Sequence, residues 1–473
     1  DRSAAERVNR GEEDPMQDRA LVTRILADLL KAEREGPEGL QRRREERLYS
    51  LVAHARVYSP CYRELYSELD HGSVALRALP ATAKSMLMSR FDEWVTDRRI
   101  ALDDLRAFVG DPTLTGVRFL DDYFICRSSG TTGHPGIFVA DRTAIAATYA
   151  CYVLSALKLV PRARLARLIA KRFRQARVVG TGGHFAGAGM VALDQRDSER
   201  RKPRERVVGV EQPLADRVAQ LNALDPAILQ GYPSAIHQLA LEQRAGRLHI
   251  EPALIGTGGE TVSIEERNHM AEAFDAPVID GYASSECLIL ATTCRSEWLH
   301  YRSDWMILEP VDSEYVPVQP GEPSATVLLT DLSNRVQPII RYDIGDSVVE
   351  RPDPCECGSP LPAIRVSGRQ DDILRFASDG RIVDVLPLAI CAGLEEIPGL
   401  ERAQLIQVGR SELSVRMSCQ DERQAATVWS SVFDTLRGFL DRQGLERVSV
   451  QLDDRPPNDL GLSGKFHQVI APG

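Results

Sequence analysis

The segment SSGTTGHPG, residues 128–136, indicates the fold class more strongly than any other stretch of the sequence. It follows an apolar run typical of a strand, and its three glycines let the backbone turn tightly and approach a ligand closely. The hydroxyl side chains and backbone amides among these glycines are donors suited to a phosphate group. No Gly-Lys-Ser/Thr follows, so the segment is not a Walker A loop. We therefore predict a phosphate loop, with a surface turn as the alternative.

Outward from this loop, short apolar runs alternate with helical patterns, which favours α/β layering. The predicted strands are residues 123–126, 177–179, 227–230 and 277–279. Upstream, apolar residues recur at helical spacing from Leu21 and again from Leu48, and the second pattern is interrupted at Pro60. Because proline disfavours helix at the residue before it, we predict two helices that meet at Pro60.

The character of the sequence changes beyond Ser324. Residues 325–329 and 336–340 are predicted strands without long helices between them, which suggests a β-rich subdomain at about 300–368. Residues 369–473 carry their own apolar runs, at 404–408 and 448–452, and are expected to form a compact α+β domain. The predicted architecture is therefore a large α/β domain over residues 1–368 and a small C-terminal domain.

Bulk properties limit the classes of protein that fit. A chain of 473 residues is longer than one hydrophobic core usually organises, so at least two domains are expected. A net charge of -10 argues against nucleic acid as a partner. No apolar run approaches the length of a membrane span, so a cytoplasmic location without membrane association is expected. Nine cysteines in so long a chain predict reduced thiols or metal ligands.

Four further motifs follow the loop: GYASSE at 281–286, RYDIGD at 341–346, GRQDD at 368–372 and LSGKF at 462–466. In this order they resemble the signatures of the adenylate-forming superfamily, which contains acyl-CoA synthetases, adenylation domains and luciferases. The resemblance spans most of the chain, from Tyr123 to Lys465. It implies ATP-dependent activation of a carboxylic acid to an acyl-adenylate with release of pyrophosphate. It also implies that the small C-terminal domain is mobile.

The resemblance gives each motif a role. Thr131 and Thr132 are expected to orient the β- and γ-phosphates, Glu286 to hold Mg²⁺, and Lys465 to contact the substrate carboxylate and the α-phosphate. Asp371 is the implied hinge between the domains. The other nucleotide-binding residues that it implies are Ser128, Ser129, Gly130, Gly133, Gly259, Glu260, Tyr282 against adenine, Ser285, Asp346 on the ribose, and Arg369.

Residues 51–69, with Lys84 and the Leu-Pro pair before it, are similar to the phenylacetate-CoA ligase branch. This branch implies an aromatic acid, and it often carries the cysteine and histidine pattern found here. Three thiolates and one imidazole form a tetrahedral set suited to structural Zn²⁺, with ordinary buried thiols as the alternative. The predicted ligands are Cys294, His300, Cys355 and Cys357.

The acid pocket is predicted from segments that occupy the family's pocket positions. The stretch GTGGHFAGAGM, residues 180–190, lies where relatives place an aromatic or histidine wall, which makes His184 and Phe185 candidates. Tyr232 and Gly258 lie in two further segments of this kind. Each of these residues could equally serve packing.

The acceptor of the acyl group is left open, because residues 373–387 do not keep the family's spacing after the hinge. CoA leads by family frequency, which gives an AMP-forming acid-thiol ligase; a carrier-protein thiol or an amine is the alternative. Basic runs at 162–177 and 200–206 could meet the phosphates of CoA or an acidic carrier protein, or could simply be solvated. A catalytically silent ligand-binding homologue is the alternative of another class. The oligomeric state stays open, with a homodimer among the options.

Overall fold

The computed structural model describes residues 15–69, 75–128, 136–181, 183–196, 204–259, 264–288, 290–366, 374–378, 381–385, 390, 393–394, 397–419, 421–457 and 469–471. The long helix α1 (Pro15–Tyr58) is kinked at Gly36, whose φ of 72° is left-handed. Helix α2 (Pro60–Leu65) begins after Ser59, whose hydroxyl accepts a bond from the amide of Tyr62. The predicted break at Pro60 is confirmed.

Within the described residues, further α-helices occur in both predicted domains. They are α3 (Lys84–Ser89), α4 (Phe91–Trp94), α5 (Leu102–Val109), α6 (Arg142–Leu159), α7 (Arg162–Ala170), α8 (Ala186–Arg196), α9 (Leu214–Leu224), α10 (Pro233–Arg244), α11 (Ile264–Phe274) and α12 (Ala425–Arg442). Helix α6 is capped by Asp141, whose carboxylate accepts a bond from the amide of Ala144.

A nine-stranded sheet forms the centre of the large domain, in the order β13-β14-β9-β8-β7-β6-β5-β3-β4. Five of its strands pair in parallel: β3 (Gln175–Val179), β4 (Glu205–Gly209), β5 (Ile228–Gly231), β6 (Leu254–Gly258) and β7 (Val278–Tyr282). The others continue the sheet antiparallel: β8 (Ala291–Thr293), β9 (Leu299–Tyr301), β13 (Val348–Glu350) and β14 (Ala363–Val366). Parallel strands joined by helices agree with the predicted α/β class.

Smaller sheets surround this centre. A hairpin-like pair, β1 (Phe124–Arg127) and β2 (Ile137–Ala140), flanks the predicted phosphate loop. The other sheets contain β10 (Met306–Val311), β11 (Thr326–Asp331) and β12 (Tyr342–Asp343); β15 (Leu374–Ser378) and β16 (Arg381–Val385); and β17 (Leu400–Gly409), β18 (Glu412–Cys419), β19 (Ser449–Leu452) and β20 (Val469–Ile470).

The hydrophobic cores divide near the predicted domain boundary. Helices α9, α10 and α11 pack on one face of the parallel strands, where Val178, Leu229 and Ile255 are buried. A separate core is built only from residues of the C-terminal part, with Phe376 on β15 and Leu436 on α12 among its buried members. This separation is consistent with a boundary near residue 368, and the division into a large domain and a small mobile C-terminal domain stays a prediction.

One predicted strand is wrong. Residues 336–340 form no strand, and their polar backbone groups are instead satisfied by distant residues. The carbonyl oxygen of Pro338 accepts bonds from the indole of Trp94, at 2.7 Å, and from the hydroxyl of Tyr62, at 3.1 Å. Pro338 also has no amide hydrogen to donate to a neighbouring strand. Hydrogen bonds from distant side chains therefore take the place of a β-sheet ladder in this segment.

In the described part of the chain, no helix is both long enough and apolar enough to cross a bilayer.

Candidate active site

A cavity of about 760 Å³ opens where the parallel strands β3, β5, β6 and β7 end. Its inner part lies on the face of the sheet opposite α9 to α11, and helices α6 and α8 contribute to its walls. Ligands of α/β sheets commonly bind outside the carboxyl ends of the strands, so a ligand is expected at this position. From the C-terminal part of the chain the cavity is lined by Ile390, Gly393, Thr435, Phe439 and Arg442.

The base of the predicted phosphate loop is fixed by three hydrogen bonds. The amide of Ser128 donates to the carbonyl of Gly136 at 2.9 Å, and the amide of Gly136 donates to the Ser128 hydroxyl at 2.8 Å. The Lys84 ammonium donates to the same hydroxyl at 2.9 Å. Ser128 and Lys84 both line the cavity, so the base of the predicted loop lies at the cavity wall.

The predicted metal-binding acid lies four residues after the end of β7. Glu286 lines the cavity, and its Oε1 accepts a bond from the Tyr342 hydroxyl at 3.1 Å. Burial and the neighbouring Glu286 carboxylate raise the pKa of Tyr342, so this phenol stays protonated and serves as the donor. Ser285 also lines the cavity, and its hydroxyl donates to the carbonyl of Arg127 at 3.4 Å. The carboxylate is therefore oriented by a neutral donor before any cation binds.

The predicted ribose ligand lies beside the predicted adenine ligand. Asp346 lines the cavity, and its Oδ2 accepts a bond from the Tyr282 hydroxyl at 2.8 Å. Tyr282 ends β7, whereas Asp346 follows the short strand β12, so two segments far apart in sequence meet here. Each carboxylate oxygen has two lone pairs, which leaves acceptor capacity for hydroxyl groups of a ligand.

Three of the four predicted pocket residues line the cavity: Phe185, Tyr232 and Gly258. Gly258 must be small, because a Cβ there would lie 2.8 Å from the carbonyl oxygen of Gly281. Gly259, which also lines the cavity, has a φ of 88° and passes close to the Tyr232 ring. These glycines let the strand ends approach one another and keep the entrance open.

His184 occupies a different position from the one predicted. Its side chain is only 1% exposed and lies outside the cavity lining, where Nε2 is 3.1 Å from the carbonyl oxygen of Asp111. Its ring packs against Phe108, and burial lowers its pKa. The physical reason is local: Arg127 lies over the neighbouring Phe185 ring on the cavity side, and His184 fills the core behind it.

Several lining residues were not predicted as site residues. Arg127, Tyr149, Tyr152, Arg177 and Gln230 all contribute to the wall. In the sequence Arg177 stands out only as the end of a basic run and the start of a predicted strand, and Gln230 only as the end of a predicted strand. Alternation along the strands could have placed them on one face, but only if the order of the strands had been known.

The predicted zinc ligands come together at the antiparallel side of the large sheet. The four ligand atoms of Cys294, His300, Cys355 and Cys357 lie within 4.8 Å of one another. The Cys294 and Cys355 sulfurs are 3.7 Å apart, and the Cys357 sulfur is 3.3 Å from His300 Nε2. His300 Nδ1 is 2.9 Å from the carbonyl oxygen of Leu361, which can only accept; Nδ1 therefore carries the proton, and the Nε2 lone pair faces the sulfurs.

This donor set fits a metal ion better than it fits free thiols. Burial and the nearby thiols raise the pKa of Cys357, so thiolate character here needs a compensating cation. Three sulfurs and one imidazole nitrogen are the donors that Zn²⁺ prefers in closed structural sites.

The other predicted site residues lie outside the described part of the chain. They are Ser129, Gly130, Thr131, Thr132, Gly133, Glu260, Arg369, Asp371 and Lys465.

Comparisons with known proteins support the fold. No family model matches the chain. The structure of 2-hydroxyisobutyryl-CoA ligase with 2-HIB-AMP and CoA in the thioesterification state matches with a TM-score of 0.52 and 20% identity, covering 90% of this chain and 88% of that one. The postadenylation state of that ligase with 2-HIB-AMP matches with a TM-score of 0.50 and 18% identity, covering 91% and 89%. The chain therefore shares its fold with this ligase.

A curated relative matches a shorter stretch. Protein CapK of Staphylococcus aureus is 27% identical over 179 residues, which are 36% of this chain and 37% of that protein. The alignment with CapK thus spans well under half of either protein.

Proposed function

We propose that this chain is an AMP-forming ligase that activates a carboxylic acid with ATP to an acyl-adenylate and then transfers the acyl group to CoA. One observation carries the proposal. Ser128, Glu286 and Asp346, which belong to three motifs spread over more than 200 residues, line one cavity. A loop for phosphates, an acid for a cation and an acid for ribose are the parts that adenylation requires.

The proposed roles follow from side-chain chemistry. Asp346, held by the Tyr282 hydroxyl, accepts bonds from the ribose, and the loop that includes Thr131 and Thr132 donates to the β- and γ-phosphates. Glu286 would hold Mg²⁺, which neutralises charge on the phosphates when bound. Lys465 contacts the carboxylate and the α-phosphate, where it stabilises the negative charge that develops as the carboxylate oxygen attacks phosphorus and pyrophosphate leaves.

The proposed acid is aromatic, and the proposed location is the cytoplasm, where ATP and CoA are available. The phenylacetate-CoA ligase resemblance supports an aromatic acid. So do the apolar walls of the cavity, to which Val153, Met190, Leu254 and Ile279 contribute. In the proposed cycle Asp371 serves as the pivot that lets the C-terminal domain change position between the two half-reactions.

Acid-dependent exchange of labelled pyrophosphate into ATP tests the first half-reaction, over a panel of aryl and alkyl acids. We expect exchange with at least one acid, and Lys465→Ala should lower its rate by about 100-fold or more because a cation at the reacting phosphate is lost. The neighbouring variant Ser463→Ala, which keeps Lys465, serves as a control for local disturbance. Exchange by Lys465→Ala at the wild-type rate would refute the assignment of Lys465.

The acceptor is tested separately, by mass spectrometry of the products formed with CoA, carrier proteins or amines. An acyl-CoA product supports the proposal. An amide or an acylated carrier protein, with no acyl-CoA, would replace CoA as the acceptor and leave the first half-reaction intact.

We also propose that Cys294, His300, Cys355 and Cys357 hold a structural Zn²⁺. Metal analysis after chelator-free purification should find about one zinc per chain. Cys357→Ser should lose most of that zinc and lower the Tm by a few degrees, because the ion ties the β8–β9 hairpin to the β13–β14 connection. Cys419→Ser, on β18 in the C-terminal part, is the matched control and should keep its zinc. Zinc-free wild-type protein would contradict the site.

A further inference from the structure

The inner end of the cavity contains one row of residues from four neighbouring strands. In the register of the sheet Arg177 on β3 pairs with Gln230 on β5, Gln230 pairs with Gly256 on β6, and Gly256 pairs with Ile279 on β7. All four line the cavity. The row lies two residues below Gly258, or about 7 Å from the strand ends at the usual rise of a strand. A ligand that enters at the strand ends and extends inward therefore meets this row.

Two side chains of the row retain unused hydrogen-bonding groups. Within the described chain the Arg177 guanidinium makes one hydrogen bond, from Nη2 to Asp194 Oδ2 at 2.8 Å, which leaves its other Nη hydrogens available to a ligand, whereas its Nε is buried without a partner and out of reach of the cavity. The Gln230 amide has no hydrogen-bond partner among the described residues. Its neighbour on β6, Gly256, has no side chain and so leaves room for a ligand next to this amide. A Cβ on Gly256 would lie only 3.1 Å from the Gln230 side chain.

Apolar residues surround the polar side chains of Arg177 and Gln230. Ile228 and Leu254 line the cavity one step deeper, and Val153 and Met190 line it from the helices. A donor that a ligand cuts off from water in this largely apolar part of the cavity is costly unless the ligand offers it an acceptor. The geometry thus favours a ligand that brings an acceptor to this depth.

The charges around Arg177 limit which kind of acceptor the ligand can carry. Asp194 is 4% exposed, and its two oxygens accept from the Tyr149 hydroxyl at 2.5 Å and from Arg177. Arg177 is therefore already neutralised. A second carboxylate from the ligand would place an uncompensated negative charge in a largely apolar enclosure, which is strongly unfavourable. A neutral oxygen carries no such cost, and the Gln230 amide can both donate to it and accept from it.

From these observations, and resting on the proposed acid activation, we infer that the acid substrate carries a hydroxyl or carbonyl oxygen about 7 Å from its carboxyl group, which Arg177 and Gln230 bind. The activated carboxyl group would lie at the strand ends near Gly258, and the polar group would lie at the row. A para-substituted aryl acid has this spacing. Arg177 and Gln230 would then determine specificity and take no part in the chemistry.

The test measures kcat/KM for ATP–pyrophosphate exchange with matched acids: 4-hydroxyphenylacetate, 4-methylphenylacetate and 4-carboxyphenylacetate, and the aliphatic pair 6-hydroxyhexanoate and heptanoate. We expect the hydroxy acid to exceed its methyl counterpart by about 10- to 100-fold in at least one pair, with the dicarboxylic acid poor. Gln230→Leu should reduce that preference to within about 3-fold, mainly by lowering kcat/KM for the hydroxy acid.

Ile279→Val is the matched control, since it changes the volume of the same row without changing its polarity. It should alter both members of a pair alike and keep their ratio. Because Gln230 makes no hydrogen bond to the described protein, Gln230→Leu should still fold, and continued exchange with the methyl acid would verify this.

The outcomes separate this inference from the proposed function. Exchange with no hydroxyl preference in the wild type, or an unchanged preference in Gln230→Leu, would overturn the specificity inference and leave acid activation standing. An absence of exchange with every acid would overturn acid activation, and this inference with it.

Discussion

The two ends of the cavity are built in different ways. At the outer end Glu286 and Asp346 each belong to a short motif with further residues in the cavity wall, and Ser128 begins a third motif. At the inner end Arg177 and Gln230 are single residues that meet only because β3 and β5 are adjacent in the sheet. This difference has a chemical reason. The triphosphate and the ribose of ATP present the same groups whichever acid is activated, whereas the acyl group can vary and needs only a pocket of suitable shape and polarity.

The comparison also separates the expected kinetic effects. Residues at the outer end should affect ATP use and the rate of adenylation for every acid. Residues at the inner end should affect the choice among acids and leave ATP use alone. Variants at the outer end that shifted acid preference would break this division.

Glu286→Gln should give the largest effect. The amide can still accept a bond from Tyr342, but it loses the charge that would hold Mg²⁺, so kcat for exchange should fall by about 100- to 1,000-fold with every acid. Titration with Mg²⁺ measures the change, and the ratio between hydroxy and methyl acids should stay constant. Tyr342→Phe is the matched control, since it keeps the carboxylate and removes only its neutral donor; we expect a decrease of under about 10-fold. A wild-type Mg²⁺ dependence in Glu286→Gln would contradict the metal assignment.

The same division explains how far sequence reasoning reached. The α/β class, the helix break at Pro60 and the strands that became β3, β5 and β7 were predictable, because apolar runs and proline act locally. The strand predicted at 336–340 was wrong, because Trp94 and Tyr62 satisfy Pro338 from more than 200 residues away. Such contacts leave no periodic signal in the segment itself.

The site shows the same limit. Motif positions such as Glu286 and Asp346 could be chosen from sequence, and the structure brings them to one cavity. The sequence predicts both His184 and Phe185 as pocket residues, because they lie in one segment. Their side chains point in different directions, and only that of Phe185 lines the cavity. Arg177 could not be distinguished from the basic residues before it, because its partners Asp194 and Gln230 are defined by tertiary packing and strand register.

Tyr282→Phe should give the smallest effect and sharpen the comparison most closely. The variant keeps the ring proposed to stack on adenine and removes the 2.8 Å hydrogen bond that orients Asp346. A neutral donor of this kind contributes about 1 kcal/mol, so KM for ATP should rise by about 5-fold, while kcat and the preference between acid pairs stay within error. Steady-state exchange at varied ATP, with each member of an acid pair saturating, measures both quantities. Asp346→Asn removes the charge that Tyr282 orients and should raise the KM for ATP further. The size of that increase is the reference with which the effect of Tyr282→Phe is compared. A shift in acid preference with unchanged KM for ATP would show that Tyr282 acts on acid selection at the inner end of the cavity. The separation of ATP binding at the outer end from acid selection at the inner end would then be wrong at Tyr282, the last residue of β7.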